Sequence, residues 1–229
     1  MGTKKIVVLT GLKGAGKDEI AKVLGRYYGY KKIAFADRLK DVVSVLYGWP
    51  REAVEGTTPH WRKWREEEDP TFKISPRKAL QKIGTDLVRN QLDENMWVKC
   101  VLDEIDKSPN TRWVVTDCRF PNEIQALKSL GTKRSGEYEV HFWRVERGER
   151  PFWWRIAEFT NKLKYLYRTD APWTKEDVHP SERSWQGLDN PEVIIYNNGT
   201  LLDLKHRVLK FATKHLKESR WKILKKIFF

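Results

Sequence analysis

The chain has 229 residues with a formal net charge of +13, and its length suits one domain that can bury a sizeable core. Cys100 and Cys118 are its only cysteines, which excludes a dense disulfide framework and makes the cytoplasm the expected compartment. The first apolar run is a short strand rather than a signal peptide. No stretch approaches the roughly 20 apolar residues of a membrane span, so no transmembrane segment is expected.

A glycine-rich loop follows the first predicted strand. Ile6 to Leu9 form an apolar run typical of a buried strand, and the next residues have the spacing G-x-x-x-x-G-K from Gly11 to Lys17. Such a loop curls so that its backbone N–H groups point at phosphate oxygens, and the helix that follows adds its positive dipole end. The pattern therefore predicts a nucleotide phosphate site, the P-loop. Its predicted ATP ligands are Gly11, Lys13, Gly14, Ala15, Gly16, Lys17 and Asp18.

Asp18 departs from the usual form of this loop, in which a Ser or Thr hydroxyl contacts Mg²⁺. A carboxylate at this position could hold the ion through a water molecule, or could cap the helix. Asp117 is the second candidate for the metal, because it follows an apolar strand, as the carboxylate that holds the Mg²⁺ shell does in P-loop enzymes. The alternative for Asp117 is a helix cap before Pro121.

Apolar periodicity and capping residues predict the next elements as far as residue 107. Residues 51–74 are polar and charged, and we predict no regular element there. The predicted elements are a helix from Asp18 to Tyr28, a strand from Lys32 to Ala36, a helix from its cap Asp37 to Leu46, a helix opened by Ser75 and Pro76 with Ala79, Leu80, Ile83, Leu87 and Val88 on one side, and a helix from Glu94 to Ile105.

The second half of the chain contains a long excursion, residues 146–184, which we predict to be a lid insertion that closes over the substrates. It carries Arg147, Arg150, Arg155, Arg168 and Arg183, and the predicted small core of its own consists of Phe152, Trp153, Trp154, Phe159, Tyr165 and Tyr167. The elements around it are predicted as a strand from Trp113 to Thr116, a helix from Pro121 to Leu130, strands from Tyr138 to Val145 and from Val193 to Tyr196, and a long basic helix.

The alternation of strands and helices predicts an α/β fold with three layers, a P-loop NTPase fold whose parallel sheet has helices on both faces. We expect a single domain over residues 1–229. Ligands collect at the carboxyl ends of parallel strands. Because four polar segments follow predicted strands, we expect one active site at that edge. The segments are Gly11–Asp18, Asp37–Lys40, Asp117–Arg119 and Arg144–Arg147.

Other polar residues are candidates for positioning a second substrate. Arg119 follows Asp117 by two residues and could clamp a phosphate bidentately. Arg77 and Gln81 are four residues apart in a predicted helix, so they share a face, and Asp86 lies beyond them. That face could hold the phosphate and the base or sugar of an acceptor, or it could simply be solvated.

Several short blocks of sequence, taken in order along residues 5–210, together resemble those of a known family. The blocks are Gly11–Asp18, Arg77–Leu87, Trp97–Lys99, Val114–Arg119, His179–Glu182 and Val193–Leu201. In this order they are similar to the deoxynucleoside monophosphate kinases of bacteriophages. The resemblance implies a nucleoside-monophosphate-kinase fold and Mg²⁺-dependent transfer of the ATP γ-phosphoryl group to a deoxynucleoside monophosphate (dNMP), giving ADP and a dNDP.

By matched position, the resemblance places Lys17 on the donor phosphates, Arg119 near the acceptor phosphate and Arg147 in the lid as catalytic residues. It implies an acceptor-binding helical region over about residues 37–107. The implied substrate ligands are Lys40, Arg77, Gln81, Asp86, Arg119 and Glu182, and the implied metal ligands are Asp18 and Asp117 through water. The chain departs from the family at Glu19, where a Thr is usual, and in the length of its excursion after Arg150.

Two alternatives remain from the sequence. Animal-type phosphomevalonate kinases resemble some of the same blocks, including Lys17-Asp18, Leu39-Lys40 and Gly187-Leu188-Asp189. A nucleic-acid-binding ATPase would explain the basic charge, but the chain has no helicase-type partner motif and no RNA-recognition signature. We therefore expect nucleotides as partners and no stable nucleic-acid complex.

The C-terminal segment has its own amphipathic pattern. Its apolar positions are Val208, Phe211, Ala212, Leu216, Trp221, Ile223, Leu224, Ile227 and Phe228, and from Lys205 onward nine lysines and arginines face one acid, Glu218. Up to Leu216 this pattern predicts a helix packed on the sheet. Beyond Glu218 it predicts packing or self-association as a homodimer, with a membrane-surface segment as the alternative.

Overall fold

A computed structural model describes residues 2–134, 136–167 and 180–218. Its contacts divide the chain into two compact units, of which the first comprises Met1–Ile33 with Ser108–Phe229 and the second comprises Ala34–Lys107. No helix in the described ranges is long and apolar enough to cross a membrane. The helices are α1 Lys17–Tyr28, α2 Asp37–Tyr47, α3 Arg51–Glu55, α4 Pro59–Trp64, α5 Pro76–Gln81, α6 Met96–Lys107, α7 Pro121–Lys133, α8 Phe152–Tyr167, α9 Pro180–Arg183 and α10 Leu201–His215, with a π-helix at Lys82–Leu92.

The first unit is built on a parallel five-stranded sheet in the order β2-β3-β1-β4-β5. The strands are β1 Lys4–Thr10, β2 Lys31–Ile33, β3 Arg112–Val115, β4 Tyr138–Glu146 and β5 Val193–Tyr196. This confirms the predicted parallel α/β arrangement, with β1 at the centre. The second strand is shorter than predicted, because the chain leaves the sheet after Ile33, three residues before Ala36.

Both faces of this sheet are covered, which gives the three predicted layers. Val7 and Leu9 of β1 point into a cluster with apolar residues of α1 and α10. Val140 and Phe142 of β4 point to the opposite face, where they lie against α7. A Cβ on Gly131 would be 3.3 Å from the Val140 Cβ, and the Lys128 ammonium lies over the Phe142 ring at 5.7 Å from its centroid. Burying each large apolar side chain stabilises the fold by roughly 1.5–3 kcal/mol.

The second unit corrects the prediction that residues 51–74 are irregular. Two short helices, α3 and α4, lie in this range, and Thr58 caps α4 by accepting a hydrogen bond from the Trp61 N–H at 3.2 Å. The sequence did not signal them because helices of one or two turns are too short to show apolar periodicity. An aromatic cluster packs beside them, consisting of Tyr47, Trp49, Trp61, Trp64 and Phe72.

The helix predicted after Ser75 begins as expected but changes type. Ser75 caps α5 through the Lys78 N–H at 3.3 Å, and after Gln81 the helix continues with wider π-helical turns to Leu92. Wider turns change which side chains share a face, and Leu87, placed on the apolar side of the predicted helix, is 45% exposed. Within this stretch, a Cβ at Gly84 would lie 2.4 Å from the Leu39 side chain, so the glycine permits a close packing contact.

The insertion between β4 and β5 differs from the prediction that its aromatic residues form a core of their own. Phe152 and Phe159 of α8 are 88% and 64% exposed. Trp154 is buried instead, with its ring edge-on to Trp185 at 5.1 Å, and the Arg144 guanidinium of β4 lies within 6 Å of both rings, at 5.9 Å and 5.8 Å. The base of the insertion is therefore packed on the sheet. The side chains of Tyr165 and Tyr167, and all of Arg168, lie outside the described residues.

The final helix confirms the predicted packing as far as Leu216. Leu216 is fully buried in the cluster between the sheet, α1 and α10, and its carbonyl accepts a hydrogen bond from the Lys5 ammonium at 2.6 Å. Glu218 is also buried and accepts hydrogen bonds from Arg112 at 3.0 Å and from Tyr30 at 3.4 Å. The predictions for residues 219–229 fall outside the described residues.

Candidate functional site

The predicted P-loop connects β1 to α1, and its glycines are required by close backbone approaches. Gly11, Gly14 and Gly16 have φ values of 137°, 81° and 106°, in the left-handed region that side chains disfavour. A Cβ at Gly11 would lie 2.3 Å from the Val145 carbonyl oxygen, and one at Gly16 would lie 2.4 Å from the Asn197 side chain. The loop therefore lies directly on the ends of β4 and β5, at the predicted carboxyl edge.

Lys17 is the buried centre of this loop. It is 7% exposed, and its ammonium donates to the carbonyl oxygens of Gly11 at 2.6 Å and Leu12 at 2.9 Å. Burial, together with the nearby charge of Arg119, lowers the pKa of Lys17 to about 8, although the surrounding carboxylates oppose this shift. An anion bound at the loop would oppose both effects and raise the pKa again, because its negative charge stabilises the protonated ammonium.

Arg119 is brought to the same loop by Glu182. The Glu182 carboxylate accepts hydrogen bonds from the Arg119 guanidinium and from the backbone N–H of Lys13, the latter at 3.0 Å. The Glu123 carboxylate accepts the Arg119 backbone N–H at 2.8 Å and so fixes the start of α7. Arg119 thus meets Lys13 and Lys17 of the P-loop, although it was predicted from a separate stretch of sequence. Glu182 contacts the loop predicted to bind the donor.

The two predicted metal ligands also lie near Lys17, since the negative charges of Asp18 and Asp117 both act to raise its pKa. Both cap alternatives are wrong, because Gly16 is the N-cap residue of α1 and Phe120 that of α7. Asp18 also pairs with Lys32 at 2.7 Å. The described residues contain no group of three or more metal-ligating side chains.

Arg147, the predicted lid arginine, follows the end of β4 and is exposed. Its neighbour Gly148 donates its backbone N–H to the Asn198 side chain at 2.8 Å, which joins this turn to the one after β5. Arg150 is engaged by Glu146 through hydrogen bonds of 3.0 Å and 2.6 Å. At the base of the insertion, Arg150 therefore makes a structural ion pair, whereas Arg147 is exposed to solvent.

A buried network beneath the P-loop was not singled out from the sequence. Asp189 is fully buried, accepts the Thr10 hydroxyl at 2.6 Å and accepts two hydrogen bonds from the Arg144 guanidinium, one of them at 2.9 Å. Asn197 donates to the Ala15 carbonyl at 2.9 Å. Little in the sequence indicated this network, because its hydrogen-bonded partners lie up to 182 positions apart along the chain. Only their position next to strand ends pointed to the site.

Four of the six predicted substrate ligands lie in the second unit. Lys40 of α2 pairs with Glu55 at 2.9 Å, and Arg77 in the first turn of α5 pairs with Glu66 at 3.1 Å. Arg77 and Gln81 both belong to α5 and are four residues apart, so they share a face of this helix. Asp86 is exposed in the π-helix. Each basic candidate is thus held by a carboxylate.

Arg65 is a further basic residue of this unit that the sequence analysis did not select. Burial and the nearby positive charge of Arg77 lower the pKa of Arg65. No spacing rule links the two residues, because an irregular stretch with a short bridge between Asp69 and Ile74 separates them. Their proximity arises from the fold of that stretch.

Comparison with known proteins points to one group of enzymes. Residues 62–134 match the family described as Deoxynucleotide monophosphate kinase. A protein of Acanthamoeba polyphaga mimivirus, provisionally named as a deoxynucleotide monophosphate kinase, is 26% identical over 219 residues, which are 89% of this chain and 94% of the relative. The deoxynucleoside-5'-monophosphate kinase of Escherichia phage T5 is 28% identical over 153 residues, which are 66% of this chain and 57% of the relative.

Among solved structures, dephospho-CoA kinase from Campylobacter jejuni overlaps 92% of this chain and 97% of its own, with 14% identity and a TM-score of 0.40. That overlap is too distant to assign a function. The sequence relatives and the family match are the informative comparisons.

Proposed function

We propose that this chain, a kinase similar to the phage-type deoxynucleoside monophosphate kinases, transfers the γ-phosphoryl group of ATP to a dNMP and so forms ADP and a dNDP. The observation that carries this proposal is the meeting of Lys13, Lys17 and Arg119 around a glycine loop, in a chain whose residues 62–134 match that family. The mimivirus and phage T5 relatives bear names of the same activity.

On the donor side, the loop and Lys17 bind the ATP phosphates. The backbone N–H of Lys13 and the N-terminus of α1 donate to phosphate oxygens, and the Lys17 ammonium leaves the Gly11 and Leu12 carbonyls for the phosphates. Arg119 donates to the transferring phosphoryl group. For this to happen the Glu182 carboxylate must release the Lys13 N–H, which is a single donor, whereas Arg119 has further N–H groups to offer beside its bond to Glu182.

Bound Mg²⁺ would supply charge neutralisation for the ATP phosphates. Asp18 and Asp117 are the residues that would hold it, through water. Asp18 would then give up or share its 2.7 Å ion pair with Lys32. The negative charges of both residues also favour the protonated form of Lys17.

On the acceptor side, we assign the dNMP to the helical region of residues 37–107. Arg77 and Lys40 bind its phosphate, and Gln81 and Asp86 contact its sugar or base. Glu182 becomes available to the acceptor once nucleotide has displaced it from the P-loop. We assign the reaction to the cytoplasm.

The insertion over residues 146–184 acts as a lid in this proposal, with Arg147 contacting phosphate in the closed form. A kinase must keep water from the γ-phosphoryl group, since otherwise it hydrolyses ATP without an acceptor. Trp154 and Trp185 are packed against Arg144, so the described base of the insertion is anchored on the sheet.

The test is ADP release from ATP and Mg²⁺, coupled to a spectrophotometric readout, with a panel of dNMPs, NMPs and phosphomevalonate. We expect turnover with at least one dNMP and its loss when EDTA removes the metal. Turnover with phosphomevalonate alone would replace the proposal by the small-molecule alternative. If no compound in the panel stimulates ADP release, the monophosphate-kinase function is wrong.

A further inference from the structure

Two arginines of the second unit are held next to each other by the backbone. Arg65 follows the last residue of α4, and Arg77 is in the first turn of α5. The Arg77 N–H donates to the Arg65 carbonyl at 3.0 Å, so the intervening stretch closes on itself and its two ends meet. The adjacency is therefore part of the local fold and does not depend on flexible side chains finding each other.

The Arg65 guanidinium is held in place by its neighbours, and one of its N–H groups is buried without a partner. Its Nη1 donates to the Glu55 carbonyl at 2.8 Å, and its Cδ and Nη1 lie so close to Gly56 that a Cβ there would be 2.9 Å from each. Its Nε is buried and has no hydrogen-bond partner among the described residues. A buried donor without a partner is unfavourable, and it is rare unless a ligand or water satisfies it.

The charges of the two arginines disfavour this arrangement in the absence of an anion. Arg65 lies close enough to Arg77 for the positive charge of Arg77 to lower its pKa. Arg77 pairs with Glu66, an exposed residue at 3.1 Å, and such an ion pair in solvent compensates little of the repulsion. Two adjacent guanidinium groups are a common way to bind a phosphate, because each offers parallel N–H donors.

We infer that Arg65 and Arg77 together bind the phosphate monoester of the acceptor, with the free Nε–H of Arg65 as the donor that completes the site. Arg65 thereby becomes a binding residue for the second substrate. This inference rests on the proposed function in one respect, namely that the phosphate belongs to a dNMP. In the bound state Arg77 exchanges Glu66 for the phosphate, while Arg65 keeps its bond to the Glu55 carbonyl.

The kinetic test uses two substitutions at Arg65 and one matched control. Arg65→Lys retains the positive charge but removes the Nε–H and the fork, and Arg65→Gln removes the charge as well. Arg62→Gln is the control, because Arg62 is an exposed arginine of the same helix that bonds to the same turn, through the Gly56 carbonyl at 3.2 Å. KM for dNMP and KM for ATP are measured for each variant, with melting temperatures.

We expect both Arg65 variants to raise KM for dNMP by about tenfold or more, as the loss of a charge-assisted hydrogen bond implies. KM for ATP should stay within about twofold of wild type, and Arg62→Gln should alter neither constant. A purely structural role for Arg65 would lower the melting temperature and change both KM values alike, and that result would overturn the inference. Equal KM values for dNMP in Arg65→Lys, Arg62→Gln and wild type would also overturn it.

A binding measurement separates this inference from the proposed function. Calorimetry with inorganic phosphate as the probe requires no turnover, and it is carried out on a Lys17→Ala background so that phosphate binding by the P-loop contributes little. Should the wild-type chain phosphorylate no dNMP, the proposed activity fails, while phosphate binding that is lost in Arg65→Lys and retained in Arg62→Gln still supports the arginine pair. Phosphate binding that is unchanged in Arg65→Lys contradicts the pair regardless of any activity.

Discussion

The protonation state of Lys17 depends strongly on its surroundings. In the free protein its ammonium is buried against two carbonyl oxygens of its own loop, and burial is the first cause of its low pKa. A lysine with a pKa of about 8 is partly neutral just above physiological pH. Contact between the charged Lys17 ammonium and the ATP phosphates is therefore coupled to uptake of a proton when the pH is high enough for Lys17 to be partly neutral.

The first prediction concerns the pH dependence of ATP binding. Below pH 8 the free protein already carries the Lys17 proton, so affinity should not change through this group. Above pH 8 the free protein loses the proton, whereas bound phosphates raise the pKa of Lys17 and retain it. The Kd of ATP should therefore rise with pH, by at most about tenfold per pH unit. Calorimetry between pH 7 and 9.5 measures this.

Lys17→Ala is the control for that titration. It should bind ATP weakly with no pH dependence from this group and should lower turnover by roughly 10²- to 10³-fold, as loss of a single charge-stabilising donor does. Equal pH profiles for wild type and Lys17→Ala would assign the titration to another group. Near-normal turnover in the variant would remove Lys17 from the mechanism.

At the scale of elements, the P-loop is attached to the rest of the sheet by one buried carboxylate. Asp189, at the end of the insertion, binds Thr10 at the end of β1 and Arg144 near the end of β4. Thr10 is followed directly by Gly11, so this contact bears on the position at which the loop begins. Removing one partner from a buried charged pair is costly, because the remaining charge stays desolvated.

The second prediction isolates the link between Asp189 and the loop. Thr10→Val keeps the shape of the side chain but removes the hydroxyl, whereas Thr10→Ser keeps the hydroxyl. Thr10→Val should lower the free energy of unfolding by about 1.5–3 kcal/mol and raise KM for ATP more than KM for dNMP. Thr10→Ser should restore most of the ATP affinity. Urea denaturation and steady-state kinetics measure the two effects.

Lys128→Met provides the matched control. Lys128 also holds the segment before Asp189, through a 2.6 Å hydrogen bond to the Leu188 carbonyl, but it lies on α7. Its loss should change stability without a selective effect on ATP. If Thr10→Val and Lys128→Met alter KM for ATP equally, the hydroxyl does not position the loop and only the stability of the segment matters.

At the scale of the whole molecule, much of the excess positive charge lies at the C-terminal end of the chain. The described end of the chain is tightly held, because Leu216 lies in the core and Glu218 is paired with Arg112 beneath the sheet. The basic residues 219–229 follow directly. Self-association through that segment remains our proposal for its role.

The third prediction compares two truncated variants. Ending the chain after Glu218 keeps both anchors, whereas ending it after His215 removes the buried Leu216 side chain and the pair with Arg112. Losing a buried leucine alone costs about 2–5 kcal/mol, so the shorter variant should melt at least about 4–8 °C lower than the longer one. Thermal unfolding measures this difference. Equal melting temperatures would show that these anchors contribute nothing.

Sedimentation of the same two variants and the full chain tests the homodimer. Dimerisation by the full chain that disappears when the chain ends after Glu218 would support self-association through residues 219–229. An unchanged oligomeric state in all three proteins would reject it. Vesicle binding by the full chain alone would favour the membrane-surface alternative.

Much of the fold follows from local sequence patterns. The strand that precedes Gly11, the cap at Ser75 and the helix from Pro121 were all identified correctly, because each depends on residues within a few positions of one another. The spacing from Gly11 to Lys17 likewise defines a loop whose glycines are individually necessary. Asp37 is a partial case, since its helix begins there but the N-cap residue is Ala36.

The errors arise where tertiary contacts decide the outcome. Leu87 was placed on the apolar side of a regular helix, but the helix continues as a π-helix and Leu87 is exposed, while Gly84 packs on Leu39. Among the residues expected to form a core of the insertion, Phe152 and Phe159 are exposed, whereas Trp154 is buried because it can reach both Trp185 and Arg144. No local period encodes these choices.

The sequence by itself determined the sheet, the phosphate loop and Lys17, since short-range spacing and backbone geometry suffice for each. Only the tertiary structure decided that Glu182 contacts Lys13 across 169 positions and that Asp189 contacts Thr10 across 179. It also placed Arg65 beside Arg77. The physical reason is that a hydrogen bond or a charge repulsion depends on distance in space, and the separation of two residues along the chain does not determine that distance once the chain has folded.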